Sequence, residues 1–290
     1  MRRYLAEFLS DPRVVGLPRI VWLPILHGLV LTVRPAKSAA KYAAIWTPEG
    51  SPLAVHTARL AAHLAARCPE LHIEHAMRYG EPSIASGLAK LAACDEVTVL
   101  PLYPQFAAST TASVRDCLPA RVRMIEDFHD HPAYVEALAA LVREHWHANG
   151  PPEVLLMSFH GLPRRAVARG DPYERQCRRT AELLARALDL DEARYRVTFQ
   201  SRFGPARWLE PYTADTLAAL GRARARRLDV FCPGFVSDCL ETLEEIAIEG
   251  RRIFLAAGGD EFRALPCLNE RPDWIEALAR IVATARAAPR

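Results

Sequence analysis

Hydrophobic and polar positions fall into blocks along this chain, and the period changes from block to block. Arg2 to Leu9 carries Tyr4, Leu5, Phe8 and Leu9 at helical spacing and is halted by Ser10-Asp11-Pro12, which predicts an opening helix. After a turn at Thr47 to Pro52, residues 53–67 gather Leu53, Val55, Leu60, Ala61 and Leu64 on one side of a second helix. His72–Tyr79 and Val97–Tyr103 read as strands separated by a helix at 82–93, and another helix is predicted from Pro132 to His147. The run from Val154 to Phe159 is apolar apart from Ser158, and is bounded by Pro151-Pro152 and by Gly161 and Pro163. It is too short for a helix and too continuously apolar for a half-exposed strand, so it predicts a strand buried on both faces. Downstream, helices at 171–188, 211–224, 238–249 and 272–287 alternate with strands at 195–200, 228–231 and 253–256. Strands alternating with helices predict an α/β protein with parallel sheets flanked by helices.

One block departs from this rhythm. Ile20 to Val33 is largely apolar, interrupted by Pro24, His27 and Gly28, and shorter than the roughly 20 residues of a spanning helix. It is either a core helix or an exposed apolar lip that touches a membrane or a flat hydrophobic ligand. A basic linker with Arg34, Lys37 and Lys41 follows. The formal net charge of +3 over 290 residues is too small to argue for a nucleic-acid partner. The seven cysteines form no C-x-x-C pair and lack the spacing of a zinc site. Without a secretory signal they read as reduced thiols of a cytoplasmic protein, membrane-associated if the apolar block is a lip.

Candidate chemistry gathers at the predicted strand ends. In parallel sheets ligands bind beyond the carboxyl ends of the strands, where Ser158, His160 and Gly161, then Gln200-Ser201, then Cys232-Pro233-Gly234-Phe235 stand. The plain alternative for His160 is a ring satisfied by a neighbouring carbonyl. His129, His131, His145 and His147 read as surface residues. Asp238, Glu241, Glu245 and Glu249 follow at intervals of 3, 4 and 4 and line one helix face. That row fits a capping arrangement from Ser237 or Asp238 with Glu241 folding back, a solvated face, or a track of hard oxygen ligands for a divalent cation in transit. No dinucleotide fingerprint, P-loop or nucleophile elbow is present.

Ser158-Phe159-His160-Gly161-Leu162-Pro163, Tyr103-Pro104-Gln105-Phe106 with Ser109-Thr110-Thr111, Gln200-Ser201 with Gly204-Pro205 and Trp208-Leu209, and Pro233-Gly234-Phe235 running into Asp238–Glu245 resemble the ferrochelatases. The four motifs stand in that family's order, and the resemblance covers essentially the whole chain. It implies insertion of ferrous iron into a porphyrin with release of two protons, His160 and Glu241 being catalytic. His160, Glu241 and Glu245 would meet the metal, and Tyr42, Arg78 and Ser201 the porphyrin. It further implies that 20–33 is a hydrophobic lip able to make peripheral membrane contact. Cys239 stands where some relatives carry a second histidine. The last cysteine is Cys267, so no iron–sulfur cluster and no permanently bound cofactor are expected.

The expected architecture is two similar domains with the cleft between them. Residues 1–115 with 272–290 form the first, and 116–271 the second, carrying the histidine and the acidic helix. The family opens with a strand and an N-L-G-T-P-like loop that would precede Met1, so a first sheet one strand short and a poorly stable chain are expected. The alternatives are a chelatase for another tetrapyrrole or metal, and a porphyrin- or haem-binding protein without turnover.

Overall fold

The computed structural model describes residues 1–15 and 18–287; residues 16–17 and 288–290 lie outside it. Two short strands, β1 (Thr98–Val99) and β2 (Arg123–Met124), pair in parallel in the first half. The second half is built on β3 (Val154–His160), β4 (Tyr195–Gln200), β5 (Arg227–Phe231) and β6 (Glu261–Ala264), an all-parallel sheet in the order β4-β3-β5-β6.

β3 lies inside this sheet, and all of its residues before His160 are buried. Side chains alternate across a strand, so Leu155, Met157 and Phe159 join a core with Tyr134, Leu138, Cys177, Leu184 and Trp274 from helices Pro132–Asn149, Tyr173–Ala187 and Pro272–Ala287. Val154 and Leu156 face the other way, toward Leu217, Ile246 and Phe254. Both faces are covered, which is why the strand carries no polar alternation. Each such side chain contributes about 1.5–3 kcal/mol by leaving water. On the second face Gly221 is irreplaceable: a Cβ there would stand 2.5 Å from the Phe254 carbonyl oxygen.

Several expectations are corrected. His72–Tyr79 forms no strand, only a bridge from Met77 to Ser83, because the chain turns at once so that the Met77 amide donates to the Pro82 carbonyl. Ile253–Ala256 is not a strand but part of helix Arg251–Ala256, which continues the acidic helix. The strand comes later, as β6. A short apolar run does not distinguish strand from buried helix by periodicity, and the first strong breaker is Gly258-Gly259, with Gly258 at φ +103°.

The basic linker is also helical. Arg19–Ile25, a wide π turn at Leu26–Val30 and Leu31–Ala43 make one continuous helical run. Pro24 and Pro35 lie inside it, and each removes a helical hydrogen bond, so the run is irregular. Leu26 and Leu31 pack on Leu5 and Leu9 of helix Arg2–Ser10 in a small core of their own. Ile20, Val21, Ile25, Leu29 and Val33 are exposed, Ile20 at 86% and Leu29 at 62%. One stripe of the block is core and the other is open. With the basic stretch added, the run Arg19–Ala43 is 25 residues long and satisfies the length and composition of a membrane-crossing helix, which the block 20–33 alone does not, with 11% of the most apolar window buried.

Candidate active site

His160 is the last residue of β3 and pairs in register with Gln200, the last of β4. Its ring is half-buried, 6.5 Å from the Phe235 ring. Nδ1 lies 2.7 Å from the Gly161 carbonyl oxygen. A carbonyl only accepts, so Nδ1 is the donor in this contact, and the proton-accepting position of the ring is Nε2. The neighbouring carbonyl thus satisfies one nitrogen and leaves the other available. Gly161 has to be glycine, since a Cβ would lie 2.8 Å from the Gln200 carbonyl and 3.1 Å from the Trp208 ring. The loop bearing Phe235 is anchored from below, where the Tyr134 hydroxyl donates to the Pro233 carbonyl.

Glu241 opens a π-helical segment, Glu241–Gly250. Such widened turns are rare, and they collect at functional sites. Asp238 does not share its face. Its carboxylate is buried, accepting from the Thr242 hydroxyl (2.9 Å), the Asn269 amide (2.7 Å) and the Cys267 backbone. This removes Asp238 from the acidic row, and Glu241 takes no part in that local network, so the anticipated reciprocal cap does not form. Glu245 is held at the next turn by the Ser201 amide (2.7 Å) and hydroxyl (2.5 Å). Ser201 sits at φ +64°, a left-handed conformation that turns the loop after β4 toward the helix. Ser201 is thus tied to Glu245.

Three phenols surround Glu241. Tyr42 on the lip helix shares a hydrogen bond with Tyr4 on the opening helix, and Tyr103 lies close to Tyr4 and Glu241. Burial pushes the Tyr4 phenol far above its ordinary range, with the proximity of Tyr42 and Glu241 adding to the rise. Burial and then Glu241 raise Tyr42, while at Tyr103 burial dominates. All three remain protonated at neutral pH and present hydroxyls beside a carboxylate. Arg78 is turned away into an ion pair. Its guanidinium donates to the Asp11 carboxylate (2.5 Å) and to the Ser113 hydroxyl (2.7 Å) and carbonyl (3.0 Å), and stacks over Tyr79 at 4.4 Å. Burial alone would raise the Asp11 carboxyl, but hydrogen bonds from Ser113, the Arg13 backbone and Tyr79, with the Arg78 charge, hold it below the usual range.

Gln200, Tyr4 and Tyr103 belong to this cleft although sequence reasoning assigned them no role. Gln200 joins its walls, with Oε1 accepting from Ser158 (2.7 Å) and Nε2 donating to the Glu241 carbonyl (2.9 Å). Its signal was a polar residue ending an otherwise well-patterned strand. Tyr4 carried none, as an aromatic at helical spacing reads as core. Two further contacts cross the cleft: Lys41 Nζ lies 2.7 Å from Glu244 Oε2, and the Arg34 guanidinium sits 4.7 Å from the Phe203 ring centre. Elsewhere His129, expected at the surface, is half-buried, with Nδ1 2.7 Å from Asp127. It precedes helix Pro132–Asn149 rather than lying on it.

A family model described as Ferrochelatase matches residues 1–286. The chain is 59% identical over 296 residues to the ferrochelatase of Azoarcus sp. (strain BH72), covering 97% of this chain and 82% of that one. It is 55% identical over 298 residues to that of Bordetella pertussis (strain Tohama I), with the same coverage. Among solved structures it resembles CbiX, the terminal enzyme of sirohaem biosynthesis in denitrifying bacteria, with TM-score 0.56 and 21% identity over 83% of this chain and 95% of that one. It also resembles DR2241 from Deinococcus radiodurans, described as similar to chelatases, with TM-score 0.53 and 18% identity over 81% and 52%. At such identities the structural likeness speaks for the fold alone: helices flanking parallel sheets, as the alternation of elements predicts.

Proposed function

The chain belongs to the ferrochelatase family and inserts ferrous iron into a porphyrin in haem synthesis; we propose that it does so in the tyrosine-walled cleft between the lip helix and the carboxyl ends of β3 and β4. The observation that carries this reading is the contact between His160 Nδ1 and the Gly161 carbonyl at the end of β3, which turns Nε2 away from that partner. Insertion replaces two pyrrole N–H protons by one divalent cation. A ring nitrogen with a free lone pair, on a side chain fixed by its other nitrogen, is a suitable acceptor for a pyrrole proton or a transient contact for the metal. His160 supplies it from the strand end. Glu241, facing it from the acidic helix, receives the second proton or guides the cation, and Glu245 lies one turn on as a further oxygen ligand. Tyr4, Tyr42 and Tyr103, kept protonated, offer hydroxyls and aromatic edges to a flat macrocycle. Ser201 shapes the floor through Glu245, and Arg78 shapes the far wall through Tyr79 and Tyr103.

Iron enters this scheme as substrate, with no resident cluster or cofactor. Cys177, Cys232, Cys239 and Cys267 are all buried, and burial pushes their thiols well above the ordinary range, whereas a cluster or soft metal takes the thiolate. The open stripe of the lip is the porphyrin-holding and membrane-facing surface of a cytoplasmic, peripherally attached protein. A helix with one stripe packed on its own domain and the opposite stripe bare lies along an interface rather than across it. Nucleic acid plays no part in this scheme.

Porphyrin and ferrous iron mixed with the protein under anaerobic conditions, followed by absorbance, test the assignment. His160→Ala is expected to lower turnover by about 10²–10⁴-fold while folding and porphyrin binding persist. A variant that retains half the wild-type rate removes His160 from the chemistry. Porphyrin binding without insertion by the wild type points instead to a carrier.

A further inference from the structure

Lys41 stands in the last turn of the lip helix with its ammonium against the acidic helix of the opposite wall. The distance to Glu244 is 2.7 Å, and the Glu244 side chain is 15% exposed against 53% for Lys41. The Lys41 charge is also felt at Glu249, without a direct contact. That carboxyl is held below its usual range first by its hydrogen bond with Arg252, with the Lys41 charge adding to the effect. Arg252 holds Glu249 from the same helix, so Lys41 is the cation that reaches the outer carboxylates from the opposite wall, on the helix whose inner carboxylates are Glu241 and Glu245. An ammonium and a divalent metal ion seek the same partner, a carboxylate oxygen, and one oxygen does not serve both fully.

We infer that Lys41 is a positioning residue for the reaction, a built-in counter-ion that occupies Glu244 until an incoming divalent cation displaces it, and so sets the metal concentration the enzyme requires. The inference rests on the reading that the acidic helix carries the cation. Displacement also frees one of two cross-cleft ties on the lip helix, the Arg34–Phe203 contact being the other, so metal arrival and lip mobility are linked. No bond is made or broken; one ion pair exchanges for another.

Initial rates at saturating porphyrin, with ferrous iron or cobalt varied anaerobically, read the effect directly. Removing one half-exposed ion-pair partner changes a competing equilibrium by roughly two- to fivefold. Lys41→Met is expected to lower the KM for metal by that factor with kcat within about twofold, a split that loss of structure does not produce. Arg251→Met makes the same charge change at the exposed start of helix Arg251–Ala256 and is expected to leave the metal KM unaltered. Glu244→Gln added to Lys41→Met should cancel the gain. Electron paramagnetic resonance of Mn²⁺ with porphyrin-free protein should show tighter binding in Lys41→Met by a similar factor. An unchanged or raised metal KM in Lys41→Met overturns the inference, as does an equal fall in Arg251→Met, which would reduce the effect to bulk charge. Failure of the underlying reading looks different: Glu241→Gln and Glu245→Gln would both insert iron as the wild type does, whatever Lys41→Met shows.

Discussion

β3 and the lip helix are two apolar stretches of similar composition with opposite fates. In β3 every apolar side chain is sealed between two layers of helices, and only His160, at its end, reaches partly into the open. In the lip, Leu26 and Leu31 are buried on the opening helix while Ile20, Val21, Ile25, Leu29 and Val33 face outward. The first arrangement fixes His160, the proposed base, to a rigid frame. The second keeps hydrophobic surface uncovered, which is unfavourable in water unless a ligand or interface covers it. A chelatase requires both, a fixed base and a soft wall that accepts a large flat ring.

The sharpest way to break this contrast is to place the same charge in each stretch. Leu156→Asp puts a carboxylate between two packed layers, and a loss of more than about 4 kcal/mol, or no folded protein, is expected from thermal or urea unfolding. Leu26→Asp, in the buried stripe of the lip, should also destabilise, by less, because its core is small. Full retention of stability by Leu156→Asp would contradict the two-sided burial of β3.

Next in size is the acidic helix. Glu241→Gln keeps shape and removes charge, and turnover should fall about tenfold to a hundredfold with the melting temperature unmoved. Glu245→Gln should act mainly on the metal KM, since the Ser201 amide and hydroxyl still hold its side chain. A drop in stability with activity spared would return Glu241 to a helix-end role.

A pH effect of intermediate size is expected at Asp11. Its carboxyl is depressed in the folded state, so its contribution is fully present above the unfolded value of about 4 and is lost as pH falls through the lower folded value. Asp11→Asn should melt earlier than wild type at pH 7, by on the order of 1 kcal/mol, and the gap should close as the pH falls through the depressed folded-state value. A gap that stays constant with pH would show that the pair with Arg78 is not ionic.

The smallest effect on stability belongs to Leu29→Asp, within about 0.5 kcal/mol as for an exposed site. Porphyrin affinity, followed by fluorescence quenching, should weaken all the same. Equal stability and equal porphyrin affinity would leave the open stripe to the membrane alone, which vesicle co-sedimentation would then read.

Local patterning was enough to mark β3, β4 and β5 and the helices between them, because a strand or helix writes its own period and its turn residues into the chain. It also singled out His160 as a candidate, since strand ends in parallel sheets are where polar groups collect, and an acidic row from which the structure withdraws Asp238. It failed at Ile253–Ala256 and at residues 34–41, where an apolar or basic stretch has the same composition in either state and the neighbouring helix decided. Nothing local tells that Asp238 turns inward to Asn269 and Thr242, that Ser201 clasps Glu245, or that Arg78 spends its donors on Asp11 and Ser113. The proposed cleft draws Tyr4, Tyr42, Tyr103, His160 and Glu241 from widely separated places in the chain. Periodicity states which face of an element is apolar; which faces then meet, and which carboxylate finds which phenol or ammonium, is settled only when the layers pack.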